Sequence, residues 1–252
     1  MEIENLDYSA YMDFFEAFSL AGIEGIASDD PIRSELEKVA ESNNQVFYIS
    51  DPILFDILFT SKGVYSWFGI KPEEVSQGFF LTTTIPEDFI RHQLARTHLV
   101  DQAHEIYSKK AGIRIVSSNF RANKKDGTCS NLLYQARLFY SDVPYESVFL
   151  LLVITDISKF EKIHKNYHFY SGNDLRFFRF PDDELLMTGN LYSYSEYNII
   201  KLIYEGLTSK EIAERLCRSV NTVNTHRTNI LMKAGKSKIS DVIRDLKDKG
   251  LL

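Results

Sequence analysis

The chain has 252 residues, 44% of them hydrophobic, and a formal net charge of −6. That is the make-up of a globular protein of one or two domains, not of a chain coated all over for nucleic acid. Two cysteines, Cys129 and Cys217, are too few for a disulfide framework and fit a reducing cytoplasm; neither has companions at zinc-site spacing. No stretch approaches the ~18 apolar residues of a membrane span, and no basic region precedes an apolar core at the N-terminus, so neither a span nor a signal peptide is expected.

Residues 1–44 are acidic, with eleven Asp and Glu against Arg33 and Lys38. Tyr11, Phe14, Phe15 and Phe18 recur at helical spacing, which predicts a helix ending near Leu20-Ala21-Gly22. Pro31 starts a second helix carrying Ile32, Leu36 and Val39. An extension packed on the next domain is favoured over a dimerisation arm or an acidic surface for a partner.

From Gln45 the pattern turns to strands. QVFYIS is one, bounded by Asp51-Pro52, and LFDILFTS is the next. A short helix follows near 62–68, closed by Gly69, and Pro86-Glu87-Asp88 opens the longest helical run, 86–109. Residues 113–122 then lead through Lys124-Lys125-Asp126-Gly127, a hairpin turn signal, into 129–140. In that second strand Leu132, Tyr134, Ala136, Leu138 and Tyr140 share one face. Residues 148–154 are almost wholly apolar, as in a central strand. Two strands, helices and three strands predict an antiparallel sheet with helices on one face, an α+β layer.

This order and its punctuation resemble a PAS domain over 43–162. The residues that carry the likeness are Phe47-Tyr48-Ile49-Ser50-Asp51, Gly69-Ile70-Lys71-Pro72-Glu73-Glu74, Ile85-Pro86-Glu87-Asp88, Lys125-Asp126-Gly127 and Thr155-Asp156-Ile157-Ser158. The resemblance implies a sensory or dimerising module, with room for a small-molecule ligand between sheet and helices. Haem would need an axial ligand. His92, His98 and His104 lie on the long helix, but steps of six residues point them three ways, and surface histidine is the better expectation for each. A flavin photoadduct would need a cysteine on the helical side, whereas Cys129 sits at a hairpin end. No cofactor is expected. Phe47, Tyr48, Phe55, Phe59, Trp67, Phe68, Phe79 and Phe80 either line a pocket or, more often for such residues, form the core.

The linker, 163–190, is too apolar at Phe177, Phe178 and Phe180 for a free tether, so it should pack on something. His164 and His168 have helical i,i+4 spacing but no third ligand nearby, which argues against a metal. Asp29-Asp30 and Asp182-Asp183 lack the alternating strand-helix context of a phosphoacceptor domain.

The C-terminal quarter changes character. From Gly189 onward eleven Lys and Arg face seven Asp and Glu, a net of +4, so the remainder carries −10. A basic module on an acidic body fits a localised DNA footprint. Ser195 is placed to cap a helix with Ile199, Leu202 and Ile203 at core spacing and Gly206 at its end. Thr208 and Glu211 make a capping box for a helix with Ile212, Ala213 and Leu216 inward. Only Cys217 and Arg218 separate it from Ser219, the cap of the next helix, so the two must cross steeply, as in a helix-turn-helix. In that next helix Val223, His226 and Ile230 fall on one side. Asn221, Asn224, Thr225, Thr228 and Met232 fall on the other, where amides and hydroxyls can reach base edges. Arg227 and Lys233 flank that face at phosphate-contact positions. Gly235 stops the helix, and Ser240 caps a last one holding Val242, Ile243 and Leu246, ended by Gly250.

Residues 194–252 resemble the DNA-binding domain of LuxR-type (NarL/FixJ-type) regulators. The matching run is Leu202, Glu205-Gly206-Leu207, Lys210-Glu211-Ile212-Ala213, Leu216, Ser219, Thr222-Val223, His226, Ile230, Lys233 and Gly235. The resemblance makes the third helix the recognition helix. It implies base reading by Asn224, Thr225 and Thr228, and backbone contact or positioning by Thr208, Lys210, Thr222, His226, Arg227 and Lys233. Arg218 stands where the family usually has an apolar residue, Asn224 where lysine is common, and Ala234 where leucine is usual.

The expected architecture is therefore α+β: an N-terminal helical extension (1–42), a PAS-like five-stranded antiparallel sheet with helices (43–162), the linker, and an all-α four-helix helix-turn-helix domain (191–252). The expected function is cytoplasmic transcription regulation, not catalysis, since a nucleophile elbow, a phosphate-binding glycine loop and a metal cluster are all missing. Expected partners are double-stranded DNA, a second copy of the chain in a homodimer (through residues 240–249 or the PAS-like module) and RNA polymerase, with no membrane. The competing expectation makes the PAS-like module a ligand-free dimerisation scaffold.

Overall fold

The computed structural model describes residues 8–21, 30–160, 167–188, 192–248 and 251–252. Gly22, Asp29, His164, Lys249 and Gly250, each singled out from the sequence, lie outside that set. Two helices, α1 (Ser9–Ala21) and α2 (Pro31–Ser42), precede a first strand pair, β1 (Gln45–Asp51) and β2 (Asp56–Thr60). Pro31 opens α2 as expected, with Asp30 accepting a bond from the Ile32 N–H at 2.9 Å. Then come α3 (Gly63–Phe68), α4 (Phe79–Thr83) and the long α5 (Pro86–Lys109). Three long strands follow: β3 (Ile113–Asn123), β4 (Cys129–Ser141) and β5 (Ser147–Asp156). The turn between β3 and β4 is the one the sequence signals, with Gly127 at φ +80° and the Lys124 N–H donating to the Thr128 carbonyl at 2.9 Å.

The sheet is antiparallel with order β2-β1-β5-β4-β3-β6. It has six strands, not five. The sixth, β6 (Phe169–Gly172), comes from the linker and pairs with the outer edge of β3. Four residues without alternation give no periodic signal in the sequence. The linker also holds α6 (Asp183–Thr188), whose N-terminal Leu185 N–H is capped by Asp182 at 2.7 Å.

Helices cover both faces of the sheet, not one. Val46, Tyr48, Val116, Leu132, Tyr134, Leu150 and Leu152 face α3, α4 and α5. Phe47, Ile49, Ile115, Phe149, Leu151 and Val153 face the other way, into Tyr11, Phe14, Phe15, Phe18, Leu36 and Ala40 of α1 and α2. The N-terminal extension is thus the second covering layer, and linker Phe178 is buried in it with Phe177 and Phe180 packed alongside. Phe47 and Phe59 belong to this outer layer, while Tyr48, Phe55 and Phe80 line a cavity on the inner one. Buried tyrosines of the N-terminal segment are paired. Tyr8 donates to Gln135 at 2.7 Å, Tyr11 donates to Gln45 at 3.0 Å, and Gln45 donates to Thr155 at 2.8 Å.

The histidines of α5 do point three ways, but His92 is buried, contrary to the expectation of three surface side chains. Its ring stacks on Phe120 at 4.2 Å. His98 meets Ser171 of β6 at 3.1 Å, and His104 is exposed. No helix among the described residues is long and apolar enough to cross a membrane.

Phe14 is 1% exposed between Phe47 and Phe59, with ring centroids 6.5 and 5.4 Å away. Phe14→Ala is expected to lower stability by about 3–5 kcal/mol, read from urea unfolding; a loss under about 1 kcal/mol, within the range of ordinary surface substitutions, would show that α1 is not part of the core.

A second expectation concerns pH. Burial pushes His92 down to about 3, helped by Arg91 and Arg96, and burial pushes His168 down to about 4. Both stay neutral in the fold while the unfolded chain protonates them near pH 6.5. Stability should therefore fall as pH drops from about 6.5 towards 4, by up to about 1.4 kcal/mol per pH unit for each histidine. His168→Gln should remove its own proton uptake from the pH dependence of unfolding.

Candidate functional site

The C-terminal helices are α7 (Tyr194–Tyr204), α8 (Ser209–Arg215), α9 (Val220–Ala234) and α10 (Ile239–Asp248). The cap of α7 is Ser193, not Ser195: its hydroxyl accepts the Glu196 N–H at 3.3 Å while Glu196 accepts the Ser193 N–H at 2.8 Å. Likewise α10 starts at Ile239, one residue before the serine expected to cap it. The other signals hold. Thr208 and Glu211 form their capping box, Ser219 accepts the Thr222 N–H at 3.0 Å, and Gly235 ends α9 at φ +60°. Cys217, at φ +50°, turns the chain between α8 and α9, and the Arg218 N–H reaches back to the Ala213 carbonyl at 2.9 Å.

These constraints fix the roll of α9. Val223 and Ile230 are fully buried, and Ala234 packs partly buried against the same core. Asn221, Asn224, Thr225, Thr228 and Met232 are all exposed, Met232 at 68%. So the sequence-predicted reading residues share one open face. Thr225 donates its hydroxyl to the Asn221 carbonyl at 3.0 Å and Thr228 to the Asn224 carbonyl at 3.2 Å. Held so, both threonines present lone pairs and methyl groups outward, able to accept from base amino groups or to touch thymine methyls. Asn224 keeps both donor and acceptor outward.

The cations divide into two groups. Lys210 is exposed and Arg227 half-buried, and neither has an ion-pair partner among the described residues. Arg218 is the same, exposed in the turn. It stood out in the sequence only as a departure from the family pattern, which hid it as a phosphate-contact candidate. Lys233 behaves otherwise. Its ammonium lies 2.7 Å from the Glu196 carboxylate, which is only 4% exposed. Burial alone would raise Glu196, but the bonds from Lys233 and Ser193 outweigh it and hold the carboxyl below the ordinary range. Lys233 thus ties α9 to the N-terminus of α7. His226 is half-buried with Nδ1 enclosed and unbonded, and the Thr222 hydroxyl lies 2.9 Å from that of Ser219.

The helical module touches the sheet domain through aromatic contacts. Tyr197 of α7 lies 4.0 Å, centroid to centroid, from Tyr167, and its hydroxyl donates to the Leu251 carbonyl. The Arg91 guanidinium sits between the rings of Tyr167 at 4.4 Å and Phe120 at 4.6 Å. It is ion-paired to Asp88 at 3.2 Å and donates to the Asn119 carbonyl at 2.6 Å. Burial would raise Asp88; its bonds to Arg121 and the charge of Arg91 outweigh that and lower it.

Two short helices crossing at a tight turn, with a polar face held outward by caps at both ends, define a helix-turn-helix module. Residues 191–244 match the luxR family of bacterial regulatory proteins, and the C-terminal part of the chain belongs to that family. Over 49 residues the chain is 43% identical to the C4-dicarboxylate transport transcriptional regulatory protein DctR of Rhodobacter capsulatus, a match covering 19% of this chain and 25% of that protein. The chain therefore spans about a quarter of the length of that curated relative. Among solved structures it is similar to the VqmA dimer of Vibrio cholerae, with 12% identity, coverage of 86% of this chain and 88% of that one, and a TM-score of 0.37. It is also similar to the N-terminal domain of a diguanylate cyclase with PAS/PAC sensor from Marinobacter aquaeolei, with 15% identity, coverage of 46% and 98%, and a TM-score of 0.35.

The division among the cations is testable. Lys233→Ala should destabilise the protein by about 1–3 kcal/mol, because Glu196 is left buried and short of a partner. Lys210→Ala should leave stability unchanged and lower the salt slope of DNA binding by about one unit. Denaturant unfolding and salt titration of both variants check this; a Lys233→Ala protein of unaltered stability with a reduced salt slope would return that residue to the phosphate contacts.

Proposed function

We propose that the protein is a sequence-specific DNA-binding transcription regulator, with α9 as its recognition helix and the PAS-like layer as its sensing or dimerising part. The observation that carries this is the face of α9: Asn224, Thr225 and Thr228 open to solvent on a helix whose opposite side is locked by Val223 and Ile230. Asn224, Thr225 and Thr228 read base edges. Arg227, Lys210 and Arg218 contact phosphates, Thr208 and Thr222 act through the helix N-termini they stabilise, and His226 and Lys233 position the helix from within. One recognition helix reads only a few base pairs, so the protein works as a homodimer on paired half-sites. It acts in the cytoplasm beside RNA polymerase and catalyses no reaction. Sensing is preferred over the scaffold reading because the inner face of the sheet encloses a cavity bearing unpaired polar groups.

The test separates reading from holding. Asn224→Ala should cost about 1–3 kcal/mol on the operator and much less on random DNA, because a bidentate amide contact is lost only where its base is present. Genome-wide mapping of bound DNA supplies the operator, and titrations on both DNAs give the difference. Equal losses on operator and random sequence would move base reading away from Asn224.

A further inference from the structure

The inner cavity lies between β1, β3, β4 and β5 on one side and α5 on the other, with a volume of about 60 Å3. A single water needs roughly 10–15 Å3 by the same measure. The space suits a handful of heavy atoms and is far too small for haem, flavin or a nucleotide. Most of its wall is apolar, with Phe80, Leu99, Leu150 and Leu152 among the lining side chains.

Two hydroxyls of the wall are unusual in having no internal partner among the described residues, while His92 on the same wall meets the Thr84 hydroxyl at 2.7 Å. Ser118 and Tyr134 are cross-strand neighbours on β3 and β4. Both are buried, and both hydroxyl oxygens are enclosed without a hydrogen bond. Orphaned groups of this kind each cost about 1–3 kcal/mol, and in native folds they call for a partner. Burial pushes the Tyr134 hydroxyl far up, and pushes Tyr48 up to about 12 against the pull of Arg96. Both phenols therefore remain protonated and can donate.

Arg96 supplies the charge. It lines the cavity and also an outer recess with Phe55, Leu81, Gln93 and Asp101, so it stands at the mouth. Among the described residues no Asp or Glu lines the cavity. Among the described residues none hydrogen-bonds or ion-pairs with Arg96, although Arg91, one and a half turns earlier, has Asp88. His92 on the same wall is kept neutral by its burial, leaving Arg96 as the charged group of the lining.

We propose that this cavity binds a small organic monocarboxylate of about three to five carbons, its carboxylate on Arg96, Tyr134 and Ser118 and its alkyl part against the apolar wall. A guanidinium with flanking hydroxyl donors is the pairing that holds a carboxylate best. The single cation matches one negative charge, and the volume sets the chain length. The proposal rests on the sensing reading above and gives that reading its ligand class.

The experiment titrates the full chain with sodium butyrate and with butyramide at matched ionic strength, by calorimetry and ligand-observed NMR. Butyrate should bind at least tenfold more tightly than butyramide. Arg96→Gln should lose at least tenfold of the butyrate affinity with its fold intact, since Arg96 is half-exposed and has no hydrogen bond or ion pair among the described residues. Tyr134→Phe, which removes only an unpaired hydroxyl, should lose severalfold and keep its stability. Equal affinity for acid and amide, undiminished binding by Arg96→Gln, or no binding of butyrate overturns the proposal. A parallel arm measures operator affinity of Ala136→Leu, which fills the cavity from β4 and leaves the Arg96 side chain in place. If that variant alters DNA binding while butyrate fails to bind, the ligand class is wrong and sensing stands; if neither arm responds, both are wrong.

Discussion

The structure depends on a sheet that is apolar on both sides. In β5 the residues Val148, Leu150, Leu152 and Ile154 face one way and Phe149, Leu151 and Val153 the other, all buried. Each such side chain is worth about 1.5–3 kcal/mol when withdrawn from water, so neither face can be left open. The helices between β2 and β3 cover the inner face. The outer face needs a second layer, and the chain provides it from its own N-terminus. That layer carries polar groups into the interior, and its buried tyrosines are tolerated because they find partners: Tyr8 with Gln135, Tyr11 with Gln45, and Gln45 in turn with Thr155. Cross-layer bonds of this kind also fix the position of α1 along the sheet, which hydrophobic contact alone would not.

The same demand for cover determines the path of the linker. Gln135 uses its amide N–H groups on the carbonyls of Phe177 and Arg179, at 3.0 Å each, which holds the linker against the outer face beside α1. Just before that, β6 closes the edge of β3, and the buried His168 meets Ser117 at 2.7 Å. Tyr167 is thereby delivered next to Arg91, at the end of the sheet where α7 begins its packing. The contact between the sheet domain and the helix-turn-helix module is thus a product of how the sheet is covered.

What was legible in the sequence were features that repeat or that act within four residues. The alternation in β4, the Pro86 start of α5, the Thr208 and Ser219 caps and the Gly235 stop all act locally, and each lies where the residues place it. The roll of α9 was legible for the same reason, because Val223 and Ile230 fix it. The Ser193 cap carries a readable signal, glutamate three residues later, which marks it over Ser195 as the start of α7. Other features depend on distance. The tie between Lys233 and Glu196 joins residues 37 apart in sequence, and nothing near Lys233 distinguishes a lysine that holds a helix from one that meets phosphate. The second helical layer was foreseen as a packed extension, but the strands read as one-sided because only β4 shows clean alternation. The runs in β1 and β5, apolar at consecutive positions, were the sign of a sheet covered twice.

Phe120 belongs to two sites at once. It lines the cavity, stacked on His92 at 4.2 Å, and it forms the floor on which the Arg91 guanidinium rests. On the other side of that guanidinium is Tyr167, and beyond it Tyr197 at the start of the DNA-binding module. A continuous line of contacts therefore runs from the cavity wall to α7. A cation over an aromatic ring is worth about 0.5–2 kcal/mol, and a coupling of 1–3 kcal/mol changes an affinity by roughly 5–150-fold. The two ring contacts of Arg91 are of the right size to carry such a coupling. They are also weak enough to be made and broken, unlike the core of either domain. Under the proposed sensing role, a ligand in the cavity would shift DNA binding only by the free energy with which it prefers one arrangement of this contact over another.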